Sequence, residues 1–273
     1  MKLNLEKTGI IYNPNIDGCF EFAKKLQNEF ENSLVYSVFE IEKQPLPTFV
    51  IVAGGDGTIL RCARYFSKFE IPIFGFNLGH LGFLAQAQIE DMESIIEDIK
   101  GEKCKVENRT MLEVEINGEK HYALNDFVIK GAVFSRTSTY ELFINETHTS
   151  SYLADGIIIS TPTGSTAYGL SAGGPVISPN LSSFSIVPIC PHTLNARPIV
   201  VSSDEIIKIK TKDINSAKYK ITLDGQKELE IEGEVVIKKG DIVAKLLLLD
   251  REQNNFYNIL REKFSWGTAP KRW

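Results

Sequence analysis

Phe49-Val50-Ile51-Val52-Ala53-Gly54-Gly55-Asp56-Gly57-Thr58 is an apolar run, a glycine turn and the lead into a helical pattern that starts at Ile59. It reads as strand, turn and helix. Glycines let a backbone approach a ligand closely, and a helix start offers unpaired N–H groups to an anion. One carboxylate, Asp56, stands within that anion site. It is a poor ligand for phosphate and a good acceptor for a proton. The combination suggests phosphoryl transfer to a hydroxyl, with Asp56 taking the proton. The plainer alternative is a strand–helix junction in which Asp56 or Thr58 only caps the helix. Four residues of Gly-Gly-Asp-Gly are entropically costly for a simple cap, which favours the functional reading.

Around this stretch the chain alternates strand and helix. Residues 8–12 read as a strand, followed by a helix with Asp17 as N-cap and Phe20, Ala23, Leu26 and Phe30 on its apolar face. A short strand near 34–39, a helix over about 58–67, an apolar run at 71–76 and an amphipathic helix over 89–100 follow. Such alternation predicts a parallel α/β sheet, whose ligands sit beyond the carboxyl ends of its strands. That is where residues 54–58 fall.

Near residue 105 the rhythm changes. Leu112-Glu113-Val114-Glu115-Ile116 alternates with period two, and Asn117-Gly118 is a hairpin signal. Strand-like runs recur near 121–130, 139–145, 156–161, 185–190, 205–211, 218–223, 229–237 and 242–249, with Asp224-Gly225 as a further tight turn. The expected architecture is an α/β domain over 1–104, completed by 251–273, and a mostly antiparallel β sandwich over 105–250.

The composition bounds the function. The chain has 273 residues, 43% hydrophobic and 24% charged, with a net charge of -5. It has no global basic footprint for nucleic acid. No apolar run approaches bilayer length, and the first residues are too polar for a signal peptide. A cytoplasmic protein with neither nucleic-acid nor membrane partners is expected. Cys19, Cys62, Cys104 and Cys190 have no zinc spacing and read as reduced thiols, so no protein-held metal site is expected. Neither the P-loop pattern nor a complete Gly-x-Gly-x-x-Gly is present, which weighs against those nucleotide folds.

Three further passages carry polar chemistry. Leu124-Asn125-Asp126 could be a turn, or could offer an amide and a carboxylate to a ribose or base edge. Asp155-Gly156 leads a strand into Thr161-Pro162-Thr163-Gly164-Ser165-Thr166-Ala167-Tyr168, and then Gly169-Leu170-Ser171-Ala172-Gly173-Gly174-Pro175. Hydroxyls and small residues there could line a polar ligand, and Tyr168 could stack on a base. A long Ser/Gly loop is the alternative, though long loops of low charge usually serve function. Pro188–Pro198 is stiffened by three prolines and holds His192 and Arg197.

Taken together and in this order, these passages resemble the NAD kinase family. The resemblance spans most of residues 50–226. It implies an α/β domain, a β domain, and transfer of the terminal phosphate of ATP to the 2′-hydroxyl of the adenosine ribose of NAD. It implies Asp56 as catalytic base, with Gly57 and Arg61 at the phosphates. Asn125 and Asp126 match the pair holding adenosine. Asp155, Thr166, Ala167, Tyr168, Gly169, Leu170 and Ser171 match the stretch around the dinucleotide, and Arg136 and Gln226 match two further binding positions. A divalent ion, Mg2+, would arrive bound to ATP oxygens, in keeping with its reluctance to lose water. The family is usually homo-oligomeric, as dimers or tetramers, with sites built partly by a neighbouring subunit. Lipid kinases share the Gly-Gly-Asp-Gly-Thr stretch. The downstream passages and the absence of a basic amphipathic helix set them aside. A dinucleotide-binding regulator without catalysis is the third reading, against which Asp56 speaks.

Overall fold

The computed structural model describes residues 3–79, 82–85, 87–131, 137–212, 219–251 and 255–264. Two compact units are evident: Met1–Asn108 with Ala244–Trp273, and Arg109–Val243.

The first unit carries β1 (Thr8–Tyr12), α1 (Cys19–Gln27), β2 (Leu34–Ser37), β3 (Phe49–Ala53), α2 (Asp56–Phe66), β4 (Ile73–Asn77), β5 (Ala87–Gln88) and α3 (Met92–Lys100). Strands β2, β1, β3 and β4 lie in that order, all parallel. All five residues of β3 are buried, as strands covered on both faces by helices must be. The registers align the carboxyl ends: Tyr12 pairs with Ser37 and Ala53, and Ala53 pairs with Phe76. One edge of the sheet therefore collects Asn13, Val38, Gly54 and Asn77, the first residues beyond these pairs. The core under α1 and α3 is built on Phe22, Leu26, Phe49, Ile51, Phe74 and Phe76.

The long strand β6 (Cys104–Ile116) leads into the second unit. There follow β7 (Glu119–Ala123), β8 (Asp126–Gly131), β9 (Ser138–Ile144), β10 (Thr147–Ala154), β11 (Gly156–Ser160), α4 (Tyr168–Ser171), β12 (Ser183–Ile189), β13 (Ile199–Ser202), β14 (Ile207–Lys212), β15 (Tyr219–Leu223), β16 (Lys227–Ile231) and β17 (Glu234–Leu249). The last helix is α5 (Phe256–Phe264). Six strands form an antiparallel sheet in the order β13-β12-β11-β8-β15-β16. Strands β10, β9, β14 and the start of β17 form a second antiparallel array. Their inner faces meet over Phe127, Ile129, Tyr140, Ile157, Ile159 and Ile186.

Period-two alternation then divides the six-stranded sheet. On β8 the odd positions 127 and 129 enter that core, while Asp126, Val128 and Lys130 face outward. On β11 Ile157 and Ile159 enter the core, while Gly156, Ile158 and Ser160 face outward. Val128, Ile158, Val187 and Ile189 make a small apolar patch on the outer face, on which Ala172 packs. The segment 161–174 lies over this face.

Several elements differ from the sequence reading. Gly18, at φ 78, precedes α1 with no side-chain cap, so Asp17 is not the N-cap. Phe20 is exposed, its ring edge-on to Tyr12 with Lys24 above it. Helix α2 starts at Asp56 rather than Thr58. The 121–130 run breaks at Leu124-Asn125. The 229–237 run breaks at Gly233, whose φ is 70, and its second part continues to Leu249 as one strand. Strands β10 and β13 lacked a signal because few of their residues are buried. The Asn117-Gly118 turn closes β6 onto β7 with both residues at positive φ, as its sequence predicted.

Candidate active site

In the first unit, the turn after β3 places Asp56 in the first turn of α2. Its carboxylate faces the loop after β4. Oδ2 accepts the Phe83 N–H at 2.8 Å, and Oδ1 accepts those of Leu84 at 3.1 Å and Ala85 at 2.9 Å. A side chain at Gly82 would overlap the carboxylate, so the loop can approach this closely only with glycine there. An ionised carboxylate has about four acceptor positions. Among the described residues three donors reach it, two at Oδ1 and one at Oδ2. The Phe83 ring in turn lies 6.3 Å from that of Phe256 and 5.9 Å from that of Phe264, so α5 braces the loop that grips Asp56.

Other groups at this edge fix the turn. Asn13 Nδ2 donates to Thr58 Oγ1 at 3.1 Å, and Gly54 N–H donates to Phe76 O at 3.0 Å. Arg61 is exposed, and its guanidinium lies 4.8 Å from the centroid of the Phe39 ring. It lies over an aromatic face one turn beyond the glycines.

In the second unit, Asn125 immediately precedes β8 and Asp126 opens it. Their backbone is held by Asp224: its Oδ1 accepts the N–H of Asn125 at 2.7 Å and of Asp126 at 3.3 Å, and Oδ2 accepts that of Leu124 at 3.3 Å. Asp224 N–H donates back to Asp126 O at 2.9 Å. Asp224, at φ 48, opens the turn into β16 with Gly225 at φ 66. Asp126 is buried, and burial, reinforced by the Asp224 charge, pushes its carboxyl up to about 7.

The Thr161–Ser171 segment docks onto the same backbone. Thr161 N–H donates to Asn125 O at 2.9 Å, and Thr161 Oγ1 donates to Leu124 O at 2.5 Å. A side chain at Gly164 would collide with the Asn125 backbone. Ser165 Oγ donates to Pro162 O at 2.7 Å and accepts the Ile177 N–H at 3.0 Å. The buried Arg109 donates to Thr163 Oγ1 at 3.3 Å. What the sequence left as a hydroxyl-rich loop is a 3-10 turn at Thr163–Thr166 followed by the single turn α4. Thr166 and Ala167 bond locally, Gly169 packs on Ser160, and Leu170 is half-buried. Tyr168 and Ser171 are exposed, as are the side chains of Asp155 and Gln226. Arg136 lies outside the described residues. Arg197 spends its guanidinium on Leu194 O and Ala196 O, a local brace for the proline-rich run.

The known proteins that this chain resembles agree with one another. Residues 20–103 match the ATP-NAD kinase N-terminal domain, and residues 124–248 match the ATP-NAD kinase C-terminal domain. The chain is 43% identical over 220 residues to the NAD kinase of Clostridium perfringens, covering 78% of this chain and 79% of that one. The chain belongs to the NAD kinase family. As a member it is an enzyme, a phosphotransferase. The NAD kinase of Caldanaerobacter subterraneus subsp. tengcongensis is 37% identical, over 96% of this chain and 99% of its own. The crystal structure of an NAD kinase from Archaeoglobus fulgidus in complex with ATP superposes with a TM-score of 0.79 at 27% identity, over 96% of this chain and all (100%) of that one. A yeast NADH kinase complexed with NADH shares the fold, at a TM-score of 0.80, over 98% of this chain and 90% of its own.

In this NAD kinase the sequence singles out Asp56 and Asn125-Asp126 as candidates but not the groups that hold them. Asp224 was visible only as a turn residue. Phe83, Leu84 and Ala85 act through backbone N–H groups, which no side-chain pattern records. Arg109 stands in an ordinary strand.

Proposed function

We propose that the protein transfers the terminal phosphate of ATP to the 2′-hydroxyl of the adenosine ribose of NAD, giving NADP and ADP, with Asp56 as general base. The Asp56 carboxylate, held by three amide donors at the glycine turn after β3, carries this reading. As the new bond to phosphorus forms, the bond to the bridging oxygen of ADP breaks, and the ribose hydroxyl proton passes to Oδ2. Three amide donors fix the carboxylate before substrate arrives, so little reorganisation is left for the reaction itself. General-base assistance of this kind contributes about 100- to 10,000-fold. Gly57 would let the phosphates approach the backbone, and Arg61 would neutralise their charge. Asn125 and Asp126 would hold adenosine, and Asp155, Thr166–Ser171, Gln226 and Arg136 the rest of the dinucleotide.

Mg2+ enters this reading with ATP, as part of the donor substrate. Among the described residues no three His, Cys, Asp or Glu side chains gather as a metal cluster. No helix among them is long and apolar enough to cross a membrane. In the same reading the enzyme works in the cytoplasm as a homodimer or homotetramer. NADP formation from NAD and Mg·ATP by purified protein tests the activity, and no product above background would overturn it. Sedimentation tests the assembly, and a monomer at catalytic concentration would overturn that part.

A further inference from the structure

Lys130 stands on the outer face of β8, two alternations beyond Asp126. Directly across the ladder is Lys220 of β15. Like charges facing each other across a sheet repel, and the two side chains part. Lys220 Nζ reaches Glu228 on β16 at 2.8 Å. Lys130 turns the other way, over β11. There Gly156 pairs with it, and a side chain on Gly156 would come within 2.9 Å of Lys130 Cγ. The Lys130 ammonium then donates to Tyr168 Oη at 3.0 Å and lies 4.9 Å from the centroid of that ring.

Tyr168 needs such a hold. It is 39% exposed and belongs to a helix of a single turn. A tyrosine so placed would otherwise lose rotamer freedom on binding a ligand, which weakens affinity. We propose that Lys130 is a positioning residue: it fixes the Tyr168 ring in one orientation for stacking on the base of a nucleotide. This rests on the placement of Tyr168 at the dinucleotide under Proposed function. It also gives Gly156 a reason. A side chain there would press on the lysine stem as well as on the Ile129 carbonyl oxygen at 2.7 Å.

Steady-state kinetics with NAD and ATP varied separately test it. Lys130→Met removes both the hydrogen bond and the ring contact. It raises the KM for NAD roughly three- to ten-fold and leaves kcat and the KM for ATP within about two-fold. Lys130→Arg, which also donates and stacks, restores most of the loss. Tyr168→Phe keeps the ring, loses the hydroxyl and falls between wild type and Lys130→Met. Equal changes in both KM values with a lowered melting temperature would mean a merely structural role and overturn the proposal. A normal Lys130→Met beside an impaired Tyr168→Ala overturns it while leaving the stacking reading intact. A normal Tyr168→Ala removes the stacking reading itself, and the Lys130 proposal with it.

Discussion

Asp224 Oδ1 accepts the backbone N–H of Asn125 at 2.7 Å, across 99 positions of sequence. The turn that opens β16 thus holds the start of β8. The two oxygens of this buried carboxylate together receive three consecutive amides, so the conformation of Leu124-Asn125-Asp126 is set by the fold itself.

Removing that acceptor should be costly twice. Asp224→Ala leaves buried amides unsatisfied, at about 1–3 kcal/mol for each left without water. Chemical denaturation should therefore show a fall of at least ~1 kcal/mol in unfolding free energy. The KM for NAD should rise roughly ten-fold, the equivalent of about 1.4 kcal/mol. An unchanged KM would separate the turn from the site.

Asp126 should make stability depend on pH. Its carboxyl is pushed up to about 7 by burial and by the Asp224 charge, well above the ordinary carboxylate value of about 4. Between those values the folded chain keeps a proton that the unfolded chain has released. The stabilisation is therefore fully present below about pH 4 and is lost as pH rises through about 7. Thermal melts from pH 4 to 8 should show this decline in the wild type and a shallower one in Asp126→Asn. Parallel curves would remove the effect. Asp224→Asn should bring the Asp126 carboxyl part of the way down, since burial, the larger cause, remains.

Asp56→Asn should lower kcat at least ~100-fold, the low end of general-base assistance. NAD binding measured by calorimetry should be little changed. The asparagine amide also turns donors toward the N–H groups of Phe83 or of Leu84 and Ala85, so hydrogen exchange at these amides should quicken. A near-normal rate would make Asp56 a purely structural anchor.

Gly164→Ala drives a methyl into the Asn125 backbone. Forced overpacking costs about 1–3 kcal/mol. The melting temperature should fall, and the KM for NAD should rise more than the KM for ATP. Equal effects on both substrates would argue that Gly164 serves packing alone.

The local rules of this chain were readable in its sequence, and the distant ones were not. Phe49–Ala53 and the glycines after it announce a strand, a turn and a helix, because each signal sits within ten residues. The alternation in Leu112–Ile116 announces a half-buried strand for the same reason. Strand β10 escaped because its sequence, Thr-His-Thr-Ser-Ser-Tyr-Leu-Ala, buries only Tyr152 and Ala154 and keeps a polar edge. Asp17 looked like a cap, but Gly18 adopts a left-handed conformation and takes the position without one. At the site the chemistry-bearing side chains were legible, and their supports were not. Asp56 meets Phe83, Leu84 and Ala85 only after the chain has formed β4, and Asn125 meets Asp224 only after β15.

The two-sided character of β8 also bears on how the chain avoids misfolding. Phe127 and Ile129 point inward, and Asp126 and Lys130 point outward. A slip of one residue would place Lys130 in the hydrocarbon interior and take Phe127 and Ile129 out of it. The residues that would serve the ligand therefore double as a proofreading device during strand assembly. Replacing both outer polar side chains with apolar ones at once should yield a protein that pairs this strand less faithfully and aggregates more on refolding, even where each single variant refolds cleanly.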